Sequence, residues 1–138
     1  MANYYASART SYAKMRDNDD FLSWAETIPD SEIITQVSEE HGTLYGFLLG
    51  EDCGGVPCRR YVEETDEDYD LNFHTEIQEH LAPGWSIIVM EAGAEKLRYI
   101  SGHAAVITPT KVEFISLGSW VEEALKKLGN PMSTLCEY

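Results

Sequence analysis

Six of the eight residues in Glu63-Glu64-Thr65-Asp66-Glu67-Asp68-Tyr69-Asp70 carry a carboxylate, and no Lys or Arg follows before Lys96. No other segment is so one-sided. A run of this kind belongs on a solvated surface, so the core has to come from the chain on either side. Those flanks read as an ordinary small α+β domain, with short apolar segments of strand or helix period between Pro-, Gly- and Asp-containing turns.

At 138 residues the chain suits one domain, taken as residues 1–138, with residues 1–3 and 132–138 as loose tails. At this length about two thirds of the unfolded surface can be buried, so neither a disulfide nor a metal is needed for stability. The net charge of −14 favours solubility and a strong long-range field. It disfavours direct binding to nucleic acid or to an anionic membrane and favours basic protein surfaces. Three cysteines, Cys53, Cys58 and Cys136, make an odd count, and Met1-Ala2-Asn3-Tyr4 opens no apolar run. The expectation is a reducing, cytoplasmic setting with no membrane span.

Alternation through Ser11 to Arg16 predicts a first strand. Asp17-Asn18-Asp19-Asp20 is a helix start, placing short acceptors and negative charge at the positive end of the helix dipole. Phe21, Trp24, Ala25 and Ile28 share one face of that helix, which Pro29 is expected to end. Strands are predicted at Glu32–Val37 and Thr43–Leu49, with a turn at Glu39–Gly42. Asp52–Pro57 is loop, and Arg59–Val62 can begin a short strand. Phe73, Ile77 and Leu81 mark a second helix, closed by Ala82-Pro83-Gly84. Apolar strands follow at Trp85–Met90, Leu97–Ile107 and Val112–Leu117, with a turn near Gly93 and a bulge expected at Gly102. A third helix has capping-box spacing at Ser119 and Glu122 and an apolar face of Trp120, Val121, Ala124, Leu125 and Leu128. Lys126, Lys127 and Gly129 suit its end.

A weak internal echo at an offset of 54 pairs Pro29 with Pro83, Ile33-Ile34 with Ile87-Ile88, and Tyr45 with Tyr99. It repeats a strand–helix–strand–strand order and predicts an extended conformation for Asp66–Asp70. The expected architecture is α+β: a mainly antiparallel sheet with three helices packed against it.

Few residues suggest catalysis. Asp66, Asp68 and Asp70 alternate as in a calcium loop, but Leu71 and Ile77 stand where that loop needs Gly and Glu. Cys53 and Cys58, with His74 and His80 downstream, are the one zinc-like grouping; six residues of separation turn the two histidines to different faces of a helix. His41 and His103 adjoin or precede turns and read as surface or hydrogen-bonded core histidines. No nucleophile elbow, phosphate-cradling loop or dinucleotide fingerprint occurs. No cofactor, metal or catalytic residue is assigned.

In an extended strand, alternate side chains lie on one face about 6.8 Å apart. Asp66, Asp68 and Asp70 then form a row, widened by Glu63, Glu64 and Glu67 and extended by Glu76 and Glu79 on the next helix. Such a row matches what a basic nucleic-acid-binding groove accepts. Tyr69 and Tyr61 add aromatic surface on which Arg can stack.

Tyr4-Tyr5-Ala6-Ser7-Ala8-Arg9-Thr10-Ser11-Tyr12, then Met15-Arg16-Asp17 and Phe21…Trp24, resembles the opening of a group of small acidic proteins of plasmids, phages and conjugative elements. Phe73…Glu76-Ile77-Gln78-Glu79-His80-Leu81 resembles their middle segment. Gly93 to Ala104, with Gly93-Ala94-Glu95-Lys96-Leu97-Arg98-Tyr99-Ile100-Ser101-Gly102 at its heart, resembles their most distinctive motif. The resemblance covers Tyr4 to about Leu128, omits the Cys53–Cys58 loop and carries no catalytic residues. It implies a mobile-element protein in a bacterial host, by context akin to antirestriction and anti-CRISPR inhibitors.

The expectation is therefore a non-enzymatic inhibitor that occupies the basic surface of a host defence nuclease or CRISPR complex through Glu63, Glu64, Asp66, Glu67, Asp68, Tyr69, Asp70, Glu76 and Glu79. One alternative is an accessory protein that binds an element-encoded partner, the acidic run serving only as solvation. The other is a metal or enzymatic protein built on Cys53 and Cys58. The oligomeric state is not read from the sequence.

Overall fold

The computed structural model describes residues 5–50, 55–62, 64–95 and 99–132. The two predicted tails fall mainly outside these residues, as do Cys53, Glu63, Lys96, Arg98 and Cys136. Six strands form an antiparallel sheet: β1 (Tyr5–Thr10), β2 (Ser31–Ser38), β3 (Gly42–Leu49), β6 (Ile87–Glu95), β7 (Tyr99–Ile107) and β8 (Val112–Ser116). Their spatial order is β2-β3-β1-β6-β7-β8. Strands β4 (Arg59–Val62) and β5 (Glu67–Asp70) form a separate antiparallel ribbon. The helices are α1 (Asn18–Ala25), α2 (Phe73–His80) and α3 (Leu117–Lys127). The α+β architecture read from the sequence is the one observed.

One face of the sheet carries the core. Strand alternation puts Ala8, Phe47, Leu49, Val89 and Ala105 on this face, and Phe21 from α1 with Phe73 and Ile77 from α2 close over it. Aromatic rings join the layers: Phe47 meets Phe73 at 5.4 Å and Phe21 at 5.6 Å between centroids. Among the described residues Thr10 is the polar one buried in the sheet; its hydroxyl accepts the Phe47 N–H and donates to the Ser11 carbonyl, both at 2.8 Å. Helix α1 begins as expected, with Asp17 accepting the Asp20 N–H. Asn72 caps α2 by accepting from the Thr75 N–H.

The opposite face is covered differently. Gly102 of β7 lies on it, and a Cβ there would stand 2.8 Å from the Leu117 side chain, so α3 approaches the sheet at this glycine. No residue of α3 is buried: Trp120 is 57 % and Val121 48 % exposed. The apolar face predicted for this helix exists, but most of it has no covering layer.

Several boundaries differ from expectation. The first strand is Tyr5–Thr10; within Ser11–Arg16 only Ala13 and Met15 make isolated bridges, to Tyr45 and Leu81. Helix α1 ends at Ala25 rather than at Pro29, because Thr27 and Ile28 bond back to Trp24 and Ala25 as tight turns. The expected turn at Gly93 is absent, since β6 continues to Glu95 and pairs Gly93 with Ser101. Gly102 is no bulge: the β6–β7 register runs unbroken from Ile87↔Ile107 to Glu95↔Tyr99. The capping box of α3 lies three residues earlier than predicted, with Ser116 as the cap and Ser119 as its partner. The echo holds for the order of helix and hairpin but not for residue register. Tyr45 pairs with Thr35, whereas Tyr99 pairs with Glu95 rather than with Val89, which lies 54 residues after Thr35.

Candidate functional site

The acidic stretch folds as the second half of the β4–β5 ribbon. Val62 pairs with Glu67, Tyr61 with Asp68, Arg60 with Tyr69 and Arg59 with Asp70. The extended conformation expected for Asp66–Asp70 is present from Glu67 onward. Asp66 itself sits in the connecting turn at φ 52°, a left-handed conformation that Asp tolerates better than most residues. The row of Asp66, Asp68 and Asp70 along one strand is therefore corrected: the turn removes Asp66 from the strand. Glu63 lies outside the described residues, and of Asp68 only the backbone is described.

Glu64, Asp66, Glu67, Tyr69 and Asp70 are all exposed. The Tyr69 hydroxyl donates within the ribbon, 3.1 Å from Thr65 Oγ1 and 3.3 Å from Glu67 Oε2. Among the described residues, no ion pair reaches Glu64, Glu67 or Asp70. The charge they carry is open to solvent.

Glu76 has a different place. Its Oε1 accepts from Trp24 Nε1 at 3.0 Å and from the Arg60 guanidinium, and its Oε2 accepts the Asn72 N–H at 3.2 Å. Burial alone would raise this carboxyl's pKa. The bonds from Trp24 and Arg60, the Arg60 charge and the Asn72 N–H together outweigh burial and hold it below the ordinary value of 4.5. Glu76 thus ties α1, β4 and the start of α2 together. Its acceptors are engaged inside the fold, which gives it an internal role that its exposed acidic neighbours do not have. Glu79, three residues on, is exposed and remains part of the acidic surface.

A second group of polar residues lies on the core face, in a cavity of about 560 Å³ between the ribbon, α2 and strands β6 to β8. His74, Glu91, His103 and Cys58 line it, with Phe73 and Phe114 as its aromatic walls. The Val56 N–H donates to Glu91 Oε1 at 2.6 Å. Desolvation lowers the His74 pKa below 6.5, against the nearby Glu91 charge, which raises it. The His103 ring stacks on Phe114 at 5.7 Å, and its buried Nδ1 has no hydrogen-bond partner. From the sequence His103 reads as a surface or hydrogen-bonded core histidine near a turn; in the fold it lies within β7. Its place in this cavity depends on bringing together segments about 30 residues apart, which no local spacing announces.

The two histidines of the zinc-like grouping separate as expected: His74 faces this cavity, while His80 stacks on Trp24 at 4.8 Å. Among the described residues, no group of three or more His, Cys, Asp or Glu side chains is placed to hold a metal ion. Cys58 is a free, exposed thiol. Among the same residues, no helix is long and apolar enough to cross a membrane.

Comparison with protein-family models, with curated proteins and with solved structures finds no match. The candidate site is therefore built from the geometry of the chain itself.

Proposed function

We propose that this chain is a non-enzymatic binding protein whose acidic ribbon occupies a basic, nucleic-acid-binding surface of a host defence nuclease or CRISPR complex. The observation that carries this reading is the anchored, exposed carboxylate set on β5 and its turn: Glu64, Asp66, Glu67 and Asp70. A disordered acidic loop would have to be ordered on binding, at an entropic cost. Here the ribbon is already paired along its length, held to α2 through Arg60 and Glu76, and followed by Leu71, which is buried in the core. A basic groove built for phosphates meets the charges without first folding them. The resemblance to acidic proteins of mobile elements supports the choice of a defence complex as the target class.

The test is inhibition of purified defence nucleases, with binding measured against salt. Glu64→Lys/Glu67→Lys/Asp70→Lys reverses three exposed charges and leaves the left-handed Asp66 in place. Affinity for the target should fall steeply with rising salt, and the triple variant should lose inhibition while keeping its circular-dichroism spectrum. Inhibition unchanged by the triple variant rules out charge mimicry. Co-purification of element-encoded proteins alone would favour the accessory role.

A further inference from the structure

The sheet face opposite the core is open and exposes large apolar side chains. Along it Met90, Ile100, Ile115 and Leu117 are 60, 65, 46 and 51 % exposed. Small residues Ala92, Gly102 and Ala104 floor a shallow groove of about 950 Å³, and α3 forms one wall with Leu117 and Trp120. Among the described side chains that the four inner strands place on this face, Arg9 is the only charged one. The net charge of −14 is thus sparse over the middle of this face, with Glu113 of β8 and Glu123 of α3 at its border.

We infer that this face is the interface of a two-fold homodimer. Three observations select a second copy as the occupant. First, the face carries a ridge and a groove side by side. The exposed apolar stripe of α3 stands beside the groove floored by Ala92 and Gly102. A two-fold axis between them seats the ridge of each copy in the groove of the other, as an isologous contact requires. Second, the area fits. Met90, Ile100, Ile115, Leu117 and Trp120, which all line the groove, expose on the order of 600 Å² together, most of the ~800 Å² that each partner contributes to a standard interface. A patch of this size is at the upper end of what monomers leave open. Third, the charge distribution permits it. The acidic ribbon lies on the core side, where Asp70 lines the cavity with Val89, Ala105 and Phe114. Two copies that meet through this face keep both ribbons in solvent. The inference is independent of what the ribbon binds.

The test is the mass of the full chain by sedimentation and light scattering from roughly 1 µM to roughly 1 mM, the span over which weak to moderate interfaces fill. The wild-type mass should rise from that of one 15.6 kDa chain to that of two and stop there. Trp120→Glu, and separately Ile100→Glu, should weaken dimerisation at least about 30-fold, the loss expected at a central aromatic or aliphatic anchor. Both positions are exposed, so the urea midpoint of each variant, measured dilute, should match that of the dilute wild type. A wild type that stays monomeric throughout overturns the inference. So does a mass that grows without limit, or a dimer that both variants leave intact. A wild-type monomer whose groove becomes protected from hydrogen exchange only on adding another protein assigns the face to that partner instead.

Discussion

Replacing Glu76 by Gln should separate the internal role of this carboxylate from the surface role of its acidic neighbours. The substitution keeps the side chain's length and one acceptor oxygen but removes the charge that faces Arg60. A hydrogen bond to a charged group contributes about 1.5–3 kcal/mol net, and breaking one partner of a fully buried ion pair costs about 3–5 kcal/mol. The Glu76 and Arg60 side chains keep 29 % and 21 % of their exposure, so water screens part of the interaction and the lower end applies. The amide oxygen can still accept from Trp24 but not from Arg60 and Asn72 with comparable strength. The expected loss is about 2 kcal/mol, seen in urea as a midpoint about 1 M lower with an unchanged slope.

Because the folded pKa of Glu76 lies below 4.5, its charge-dependent contribution is complete above that pH and disappears as pH falls through the lower folded value. The stability difference between wild type and Glu76→Gln should therefore shrink below pH 4.5. A double-mutant cycle with Arg60→Met should give a coupling of about 1 kcal/mol. The reasoning fails if the single variant loses less than about 0.5 kcal/mol or if the two substitutions are additive. Affinity for a basic partner should be far less affected by Glu76→Gln than by Glu67→Lys, because Glu76 is engaged inside the fold.

Other substitutions probe the cavity and the core. Gly55→Ala should cost about 1–3 kcal/mol, since Gly55 has φ +70° and a Cβ there would stand 2.0 Å from Glu91 Oε1; an unchanged melting temperature would show that the Gly55–Val56 loop does not hold Glu91. His74 has a lowered pKa, so its neutral form is favoured in the fold and its contribution is complete above pH 6.5 and lost as pH falls through the lower folded value. His74→Gln should flatten the stability profile just below pH 6.5, and a step that persists in the variant belongs to another group. Phe47→Ala should cost about 3–5 kcal/mol by denaturant melting, because Phe47 is fully buried between α1, α2 and the sheet.

The parts of the fold that were legible in the sequence are those with a local cause. Asp17 caps α1 because its carboxylate reaches a free N–H one turn on, and Phe73, Ile77 and Leu81 are buried because helical period puts them on one side. Elsewhere the local signal is ambiguous. Ser116 and Ser119 both suit a helix cap; β8 ends at Ser116, which decides between them. Gly102 reads as a bulge, yet its cause is the approach of Leu117 from another element. In the site, the exposure of Glu64, Glu67 and Asp70 followed from composition. The engagement of Glu76 did not, because Trp24 lies 52 residues away and Arg60 is 16 residues away on a separate ribbon. The cavity of His74, Glu91 and His103 is likewise a product of sheet order.

The two halves of the chain also explain why the acidic segment is a ribbon and not a strand of the main sheet. An eight-residue helix precedes an antiparallel hairpin twice, α1 before β2–β3 and α2 before β6–β7. In the first half, β1 enters the sheet between β3 and β6, and the side chains it turns to the core are the small residues Ala6, Ala8 and Thr10. The strand before α2 is β5, and a central position would take its carboxylates out of water at several kcal/mol each. The open side of β7 is filled by β8 instead. A two-stranded ribbon left outside a sheet is marginal by itself. It is held at its base, where Leu71 enters the core and its N–H donates to the Cys58 carbonyl at 2.9 Å, and where Arg60 meets Glu76. The carboxylates that kept β5 out of the sheet are thus presented on a fixed support, and Glu76 contributes by holding that support rather than by adding one more charge to it.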